Sequence, residues 1–187
     1  MTRRYEDELV TKMLKVIDDE ERVRAVIGSS DDGESELTLY DEAQRGRASI
    51  FVGRHGASMS LRDRNEGNRI TAVMHDTRGA NLFLSDRHGK FRVRVGEGED
   101  GTVLLFLNNK EGEPRVVAIV EDDLPGIMLF DGKSDTSGVQ IHANSEVGNS
   151  VTIVDREDGG FTKLGVPFGG EPGLVLYDED EETTHTV

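Results

Sequence analysis

The 187-residue chain has no cysteine and no tryptophan, only four prolines, and aromatic residues make up just 5 % of it. Without cysteine there are no disulfides, no thiolate metal sites and no thiol nucleophiles, so stability rests on burial and hydrogen-bond pairing alone. Apolar residues reach only 35 %, a thin supply for one thick core. Such a composition suits a flat or elongated structure, or one whose apolar face is completed by another subunit. No run of about 18 apolar residues occurs, so no membrane-spanning helix is expected. The first residues turn acidic at Glu6-Asp7-Glu8, where a signal peptide needs an apolar stretch. The expected location is therefore the cytoplasm, or a particle or assembly. Cations are scarce as well: 16 Arg and 6 Lys stand against 37 Asp and Glu, a net charge of −15. That balance argues against nucleic acid and anionic membranes as partners, because phosphate binding needs clustered Lys and Arg.

What the chain has in abundance is one short pattern. An apolar-x-acid strand end recurs at Leu39-Tyr40-Asp41, Leu61-Arg62-Asp63, Leu84-Ser85-Asp86, Leu129-Phe130-Asp131, Ile153-Val154-Asp155 and Leu176-Tyr177-Asp178. Leu107-Asn108-Asn109 fills the gap with an amide, and Val16-Ile17-Asp18 extends the series backwards. The column at 18, 41, 63, 86, 109, 131, 155 and 178 has steps of 23, 22, 23, 23, 22, 24 and 23 residues. A fixed period in this range is the mark of a repeat architecture.

Within one unit, Leu37-Thr38-Leu39-Tyr40-Asp41 alternates as a half-buried strand, and Arg47 to Val52 forms a second, with Ala48, Ile50 and Val52 on one face. Asp, or Asn109, starts the intervening turn by accepting backbone N–H bonds, and a glycine near its end supplies positive φ, as in Asp86-Arg87-His88-Gly89. By this reading the turn from Asp63 to Gly67 is one residue longer. Second turns carry Gly33, Gly56, Gly79, Gly101, Gly126 and Gly148. Six residues after the acid column stands an arginine column, Arg24, Arg47, Arg69, Arg92 and Arg115, which is lost at Ser137 and Phe161. The expected structural set is thus Asp18, Asp41, Asp63, Asp86 and Asn109 with those five arginines, forming a ladder of alternating charge across hairpins. The competing reading of the arginines, a basic stripe for polyanions, conflicts with the acid that accompanies each.

The expected fold is all-β: a repetitive antiparallel hairpin meander or β-solenoid-like array, two strands per repeat of about 23 residues, with a short N-terminal helix or arm. Residues 1–13 are the arm; 14–178 are the β-repeat domain, regular to about 130 and looser after; 179–187 are an acidic disordered tail. Leu9, Val10, Met13, Leu14 and Ile17 fit a helix, yet Leu14 to Asp18 also fits the repeat as a strand. A meander would place Leu37, Leu39, Ile50 and Val52 on one face of a sheet of roughly 14–16 strands, about 70 Å long at ~4.8 Å per strand. A face of that size requires cover. A closed homo-oligomer suits the composition, with a trimer favoured; a solenoid would bury the same residues within one chain.

The register Asp-x-x-Gly-Lys/Arg-x-Arg followed by an apolar strand, as in Asp86 to Val95, resembles a widespread group of uncharacterised bacterial repeat proteins reading LxLxDxxGxxRxxLxV. The resemblance covers residues 14–130 well and 131–178 loosely. Tyr40-Asp41 and Tyr177-Asp178 are more distantly similar to the YD repeats of large bacterial toxin shells. Neither resemblance implies a catalytic residue.

Candidate chemistry is sparse. His55 and His88 precede glycines in turns and His75 precedes Asp76, with no zinc-ligand spacing and no local triad motif. No cofactor is expected; calcium is the rival, at Asp31-Asp32-Gly33-Glu34, Glu97 to Gly101 and Asp155 to Gly160, although neither EF-hand nor β-roll spacing is present. The leading expectation is a non-enzymatic structural protein that self-assembles as a rod, fibre or shell component. The alternative is a carbohydrate- or protein-binding module that uses Tyr40, Phe51, Phe83 and Phe130 on its outer face.

Overall fold

A computed structural model describes residues 10–130, 138–144, 148–155, 160–167, 173–177 and 183–186. Among them every regular element is a β-strand. The chain divides into two compact units, residues 1–76 and 77–187. The first contains β1 (Met13–Ile17), β2 (Val23–Ser29), β3 (Ser35–Tyr40), β4 (Gly46–Gly53), β5 (Gly56–Arg62) and β6 (Asn68–His75). The second contains β7 (Gly79–Ser85), β8 (Phe91–Glu97), β9 (Val103–Asn108), β10 (Pro114–Glu121), β11 (Leu124–Phe130) and β12 (Gly138–His142), then β13 (Gly148–Asp155), β14 (Gly160–Pro167), β15 (Gly173–Tyr177) and β16 (Thr183–Thr186). Within each unit the strands lie in chain order and pair antiparallel with their neighbours. This is a meander. In a solenoid, each strand would pair with its own copy one coil later.

Met13–Ile17 is a strand and not the end of a helix, and residues 1–9 lie outside the described set. Its partner is β2, with Leu14 opposite Ile27 and Val16 opposite Ala25. β16 falls in the stretch read from sequence as a disordered tail, and its backbone pairs with β15.

The first-type turns share one geometry. In each of the five, residue i bonds to residue i+4 through its own N–H, and the N–H of i+3 returns to the carbonyl of i: 18–22, 41–45, 63–67, 86–90 and 109–113. The turn after Asp63 is therefore the same length as the rest. Position i+3 takes positive φ in all five, but glycine fills it only at Gly89 and Gly112; Glu21, Gln44 and Glu66 hold φ of 60°, 60° and 62°. Immediately after each turn the register slips by one residue, a β-bulge that increases local twist.

The second turns vary more. Gly53 pairs with Gly56 across a two-residue hairpin, and Gly56, at φ 142°, sits where a Cβ would lie 2.0 Å from the Met74 carbonyl oxygen. Asp122 and Asp123 make another two-residue turn, with φ of 48° and 63°. Gly126, expected in a turn, instead lies within β11 opposite Ile119, where a Cβ would meet that side chain at 3.3 Å.

The left-handed non-glycine residues supply a test. Left-handed backbone costs an L-residue roughly 1–2 kcal/mol, part of which glycine returns as unfolded-state entropy. Glu66→Gly is expected to raise the melting temperature by about 2 °C in a thermal scan. Gln44→Gly is expected to give no rise, because Gln44 also holds the Val23 backbone, accepting from its N–H at 3.1 Å and donating to its carbonyl at 3.0 Å.

Candidate functional site

Each unit presents two surfaces: the charged turns at one end of its strands, and the aliphatic face of its sheet. In the turns, one carboxylate or amide oxygen organises each hairpin. Asp18 Oδ1 accepts from the N–H groups of Glu20 and Arg22 at 3.1 and 2.9 Å, and Asp41 Oδ1 from Ala43 and Arg45 at 2.9 and 3.1 Å. Asp63 takes Asn65 and Gly67, Asp86 takes His88 and Lys90, and Asn109 takes Glu111 and Glu113 by the same two bonds. An amide oxygen serves as well as a carboxylate there, which explains why Asn109 fits the column.

The arginine column sits on the bulges. In each case the residue skipped by the pairing register is the arginine: Arg24 between the pairs Val16–Ala25 and Ile17–Val23, then Arg47, Arg69, Arg92 and Arg115 in the equivalent places. At Ser137 and Phe161, where the column is lost, the pairing runs without a slip: β13 pairs with β14 through Asp155–Gly160, and β11 with β12 through Phe130–Gly138. β15 and β16 keep the slip with Thr184 in the column position. The bulge turns the side chain back over the turn. Arg24, Arg47, Arg69 and Arg92 reach Asp18, Asp41, Asp63 and Asp86 at 3.8, 3.1, 4.0 and 3.5 Å. Arg47 and Arg92 also donate through Nε to the carbonyls of Arg62 and Asn108 on the following strand, at 2.9 and 3.0 Å.

At the fifth turn, where the column residue is neutral, Glu113 supplies the charge. Arg115 meets Glu113 at 2.9 Å, and Asn109 Nδ2 donates to the same carboxylate oxygen at 2.9 Å. Glu113 was not part of the sequence-derived set; its signal was the fifth turn position, which holds Arg22, Arg45 and Lys90 in other units. Arg45 reinforces Asp41 from that position at 2.8 Å. The column residues 131 and 178 lie outside the described residues, and for Asp155 only the backbone is described.

These contacts hold the carboxyls below their ordinary values. For Asp41 the Arg45 guanidinium is the leading cause, then the turn N–H groups and Arg47, against a smaller opposing desolvation. For Asp63 and Asp86 the first cause is the N–H two residues on, from Asn65 and His88. At Asp18 desolvation is the largest single influence and opposes the shift, but the bonds from Arg22 together outweigh it. Glu113 is lowered first by Asn109 and then by Arg115.

The aliphatic face runs across the strands in rows. In the first unit one row is Leu14, Ile27, Leu37, Ile50, Met59 and Ala72, each opposite the next. In the second unit a row passes from Leu82 through Val95, Leu105, Ala118 and Ile127 to Ile141, Val151, Leu164 and Leu174. These side chains are open: Ile50 is 47 % exposed, Ile127 43 % and Leu164 58 %. Over β1 to β4 the face dips into an open groove of about 490 Å³, lined by Leu14, Ile27, Leu37, Ile50 and Val52 with Lys12 at its rim.

The opposite face is the better covered one. Thr38, Ser49 and Ser60, in one row of the first unit, are buried beneath longer neighbours; Arg62 donates to Ser49 Oγ at 3.2 Å, and Thr38 bonds to Glu36. Tyr40, Phe51, Phe83 and Phe130 belong to this face and are half-buried, not the open platforms that a sugar-binding reading needs. Arg94 stands 5.8 Å above the Phe83 ring, which also meets Phe91 at 5.1 Å. Val117 in the second unit, the one buried aliphatic among the described residues, lies in the row with Phe106 and Met128 on this side.

No group of three His, Asp or Glu that could hold a metal comes together among the described residues. Asp31 to Gly33 and Glu97 to Gly101 form hairpin turns, and residues 156–159 lie outside the described set. His55, in the Gly53–Gly56 turn, and His75, at the end of β6 opposite Gly56, stack at 6.3 Å. No helix among the described residues is long and apolar enough to cross a membrane. Comparison with known proteins finds no family model that matches the chain and no curated protein similar to it.

The acid column predicts a pH dependence. Depressed carboxyls contribute stability that is fully present above their unfolded value and is lost as pH falls through the folded one. Melting temperature is expected to stay level from pH 7 to 5 and to drop as pH falls below the ordinary value of 3.8. Asp41→Asn should lower it at pH 7 and flatten the acid limb; an unchanged limb would contradict the role given to Asp41.

Proposed function

We propose that this chain is a non-enzymatic structural protein whose copies pack aliphatic face to aliphatic face in a closed homo-oligomer, serving as a building element of a rod, fibre or shell. One observation carries this reading: a row of aliphatic side chains runs unbroken across each unit, and no described residue of that unit covers it. Within each unit the open side chains of the row, such as Ile50 at 47 %, Met59 at 43 %, Ile127 at 43 % and Leu164 at 58 %, make a continuous apolar patch of the kind that marks an interaction surface.

A second copy suits this surface better than an unlike partner. The rows repeat the same small set of side chains at strand spacing, so the face is complementary to a copy of itself, as a closed symmetric interface requires. Its described strands place almost no charge on this face, so like-charge repulsion does not oppose contact there. Three copies about an axis would cover each single-layer sheet with two others.

Light scattering after size exclusion tests the proposal. The expected mass is three times the 20.6 kDa chain, falling to one chain in Ile50→Glu combined with Leu129→Glu. Glu42→Lys, on a turn, should leave it unchanged. A monomeric wild-type protein at micromolar concentration would overturn the reading, and a two-chain mass would replace the trimer with a dimer.

A further inference from the structure

Even-numbered strands have two sides, and both are used in one register. Ala25 of β2 faces Val16 of β1 on one side and Leu39 of β3 on the other. Val93 of β8 likewise faces Leu84 and Leu107, and Val116 of β10 faces Leu107 and Leu129. β16 has the first half of this arrangement only. His185 faces Leu176 of β15, beside the same one-residue slip found after Arg24 and Arg92, and among the described residues nothing pairs with its outer edge. β1 lacks the complementary half. Val16 faces Ala25, and its outer edge is also unpaired among the described residues.

All five residues of β1 are exposed. Edge strands are commonly guarded by proline, by charges or by a covering element. β1, Met-Leu-Lys-Val-Ile, has no proline and a single charge, Lys15.

We infer that β16 of one copy adds to β1 of a second copy, in the register that β2 adopts on β3. His185 then faces Val16 and Thr186 faces Lys15, as Ala25 faces Leu39 and Val26 faces Thr38 within the chain. The inference rests on the self-association reading, since the partner is another copy of the same chain, and adds a second contact to it. Backbone hydrogen bonds supply the affinity, as in other cases of strand addition. Charge selects the partner. Pairing β1 with a second β1 at full overlap would set Lys15 against Lys15, and like charges directly opposite destabilise a sheet; β16 offers a threonine there. Because the two edges differ, the contact is heterologous: it does not close within a pair but runs head to tail, closing as a ring in the three-chain assembly proposed above.

The chain's lack of cysteine gives a clean test. Val16→Cys and His185→Cys are introduced together, the protein is oxidised, and the products are separated without reductant. A ladder of multiples of the 20.6 kDa chain is expected from the double variant, and single chains from each single variant. A cross-linked dimer from Val16→Cys alone would show β1 on β1 and overturn the proposal. So would a double variant that stays single-chain, whether linked internally or not at all. Light scattering of the unoxidised protein separates the two contacts. An oligomer without a ladder removes the edge contact and keeps the face; a ladder from a protein that scatters as a monomer does the reverse.

Discussion

Each of the five hairpins described in detail hangs on one side-chain oxygen that accepts two backbone N–H groups. That pair of bonds, from Asp18 to Asn109, closes the turn, sets position i+3 left-handed and forces the one-residue slip that follows. The slip makes a bulge, and the bulge carries the arginine back to the acid. Turn, bulge and ion pair are thus one unit. The loss of arginine at Ser137 and Phe161 coincides with unslipped pairing in β12 and β14. The exposed ion pairs are individually weak. Their effect is on register, and register decides which face every later side chain occupies.

Register in turn yields two unequal faces. One carries Thr, Ser, Arg, Glu and the aromatics, and these cover one another. The other carries Leu, Ile and Val in rows and is left open by the described residues of its unit. A single-layer sheet cannot bury both sides, and short aliphatic side chains cannot fold over their neighbours as Arg62 does over Ser49. The open side is therefore the one with the larger hydrophobic penalty, and it is the side that the proposed association covers.

Much of this was legible in the sequence, because turn chemistry is local. The period, the strand pairs, the acid column and the arginine six residues on all follow from residues within one unit. What was not legible depends on partners far along the chain or on backbone alone. Period-two alternation is the same in a meander and a solenoid, so only pairing could separate them. The left-handed Glu21, Gln44 and Glu66 break a preference for glycine that the intact turn overrides. The bulges leave little mark beyond the arginine, and at Thr184 not even that. Glu113 was hidden because it replaces Asn109's missing charge from a position that holds Arg22, Arg45 and Lys90 in other units. The same local alternation made Tyr40 and Phe51 look like outer-face aromatics, whereas they are half-buried among the longer side chains of that face.

The central claim is that the aliphatic face is covered by other copies of the chain. Thiol labelling measures this directly in a protein with no cysteine of its own. Ile50→Cys reports on the aliphatic face and Glu42→Cys on an exposed turn. At micromolar concentration the thiol at position 50 is expected to react at least tenfold more slowly than that at 42, and the two rates should converge on dilution. Equal rates at every concentration would show the face open to water and contradict the account.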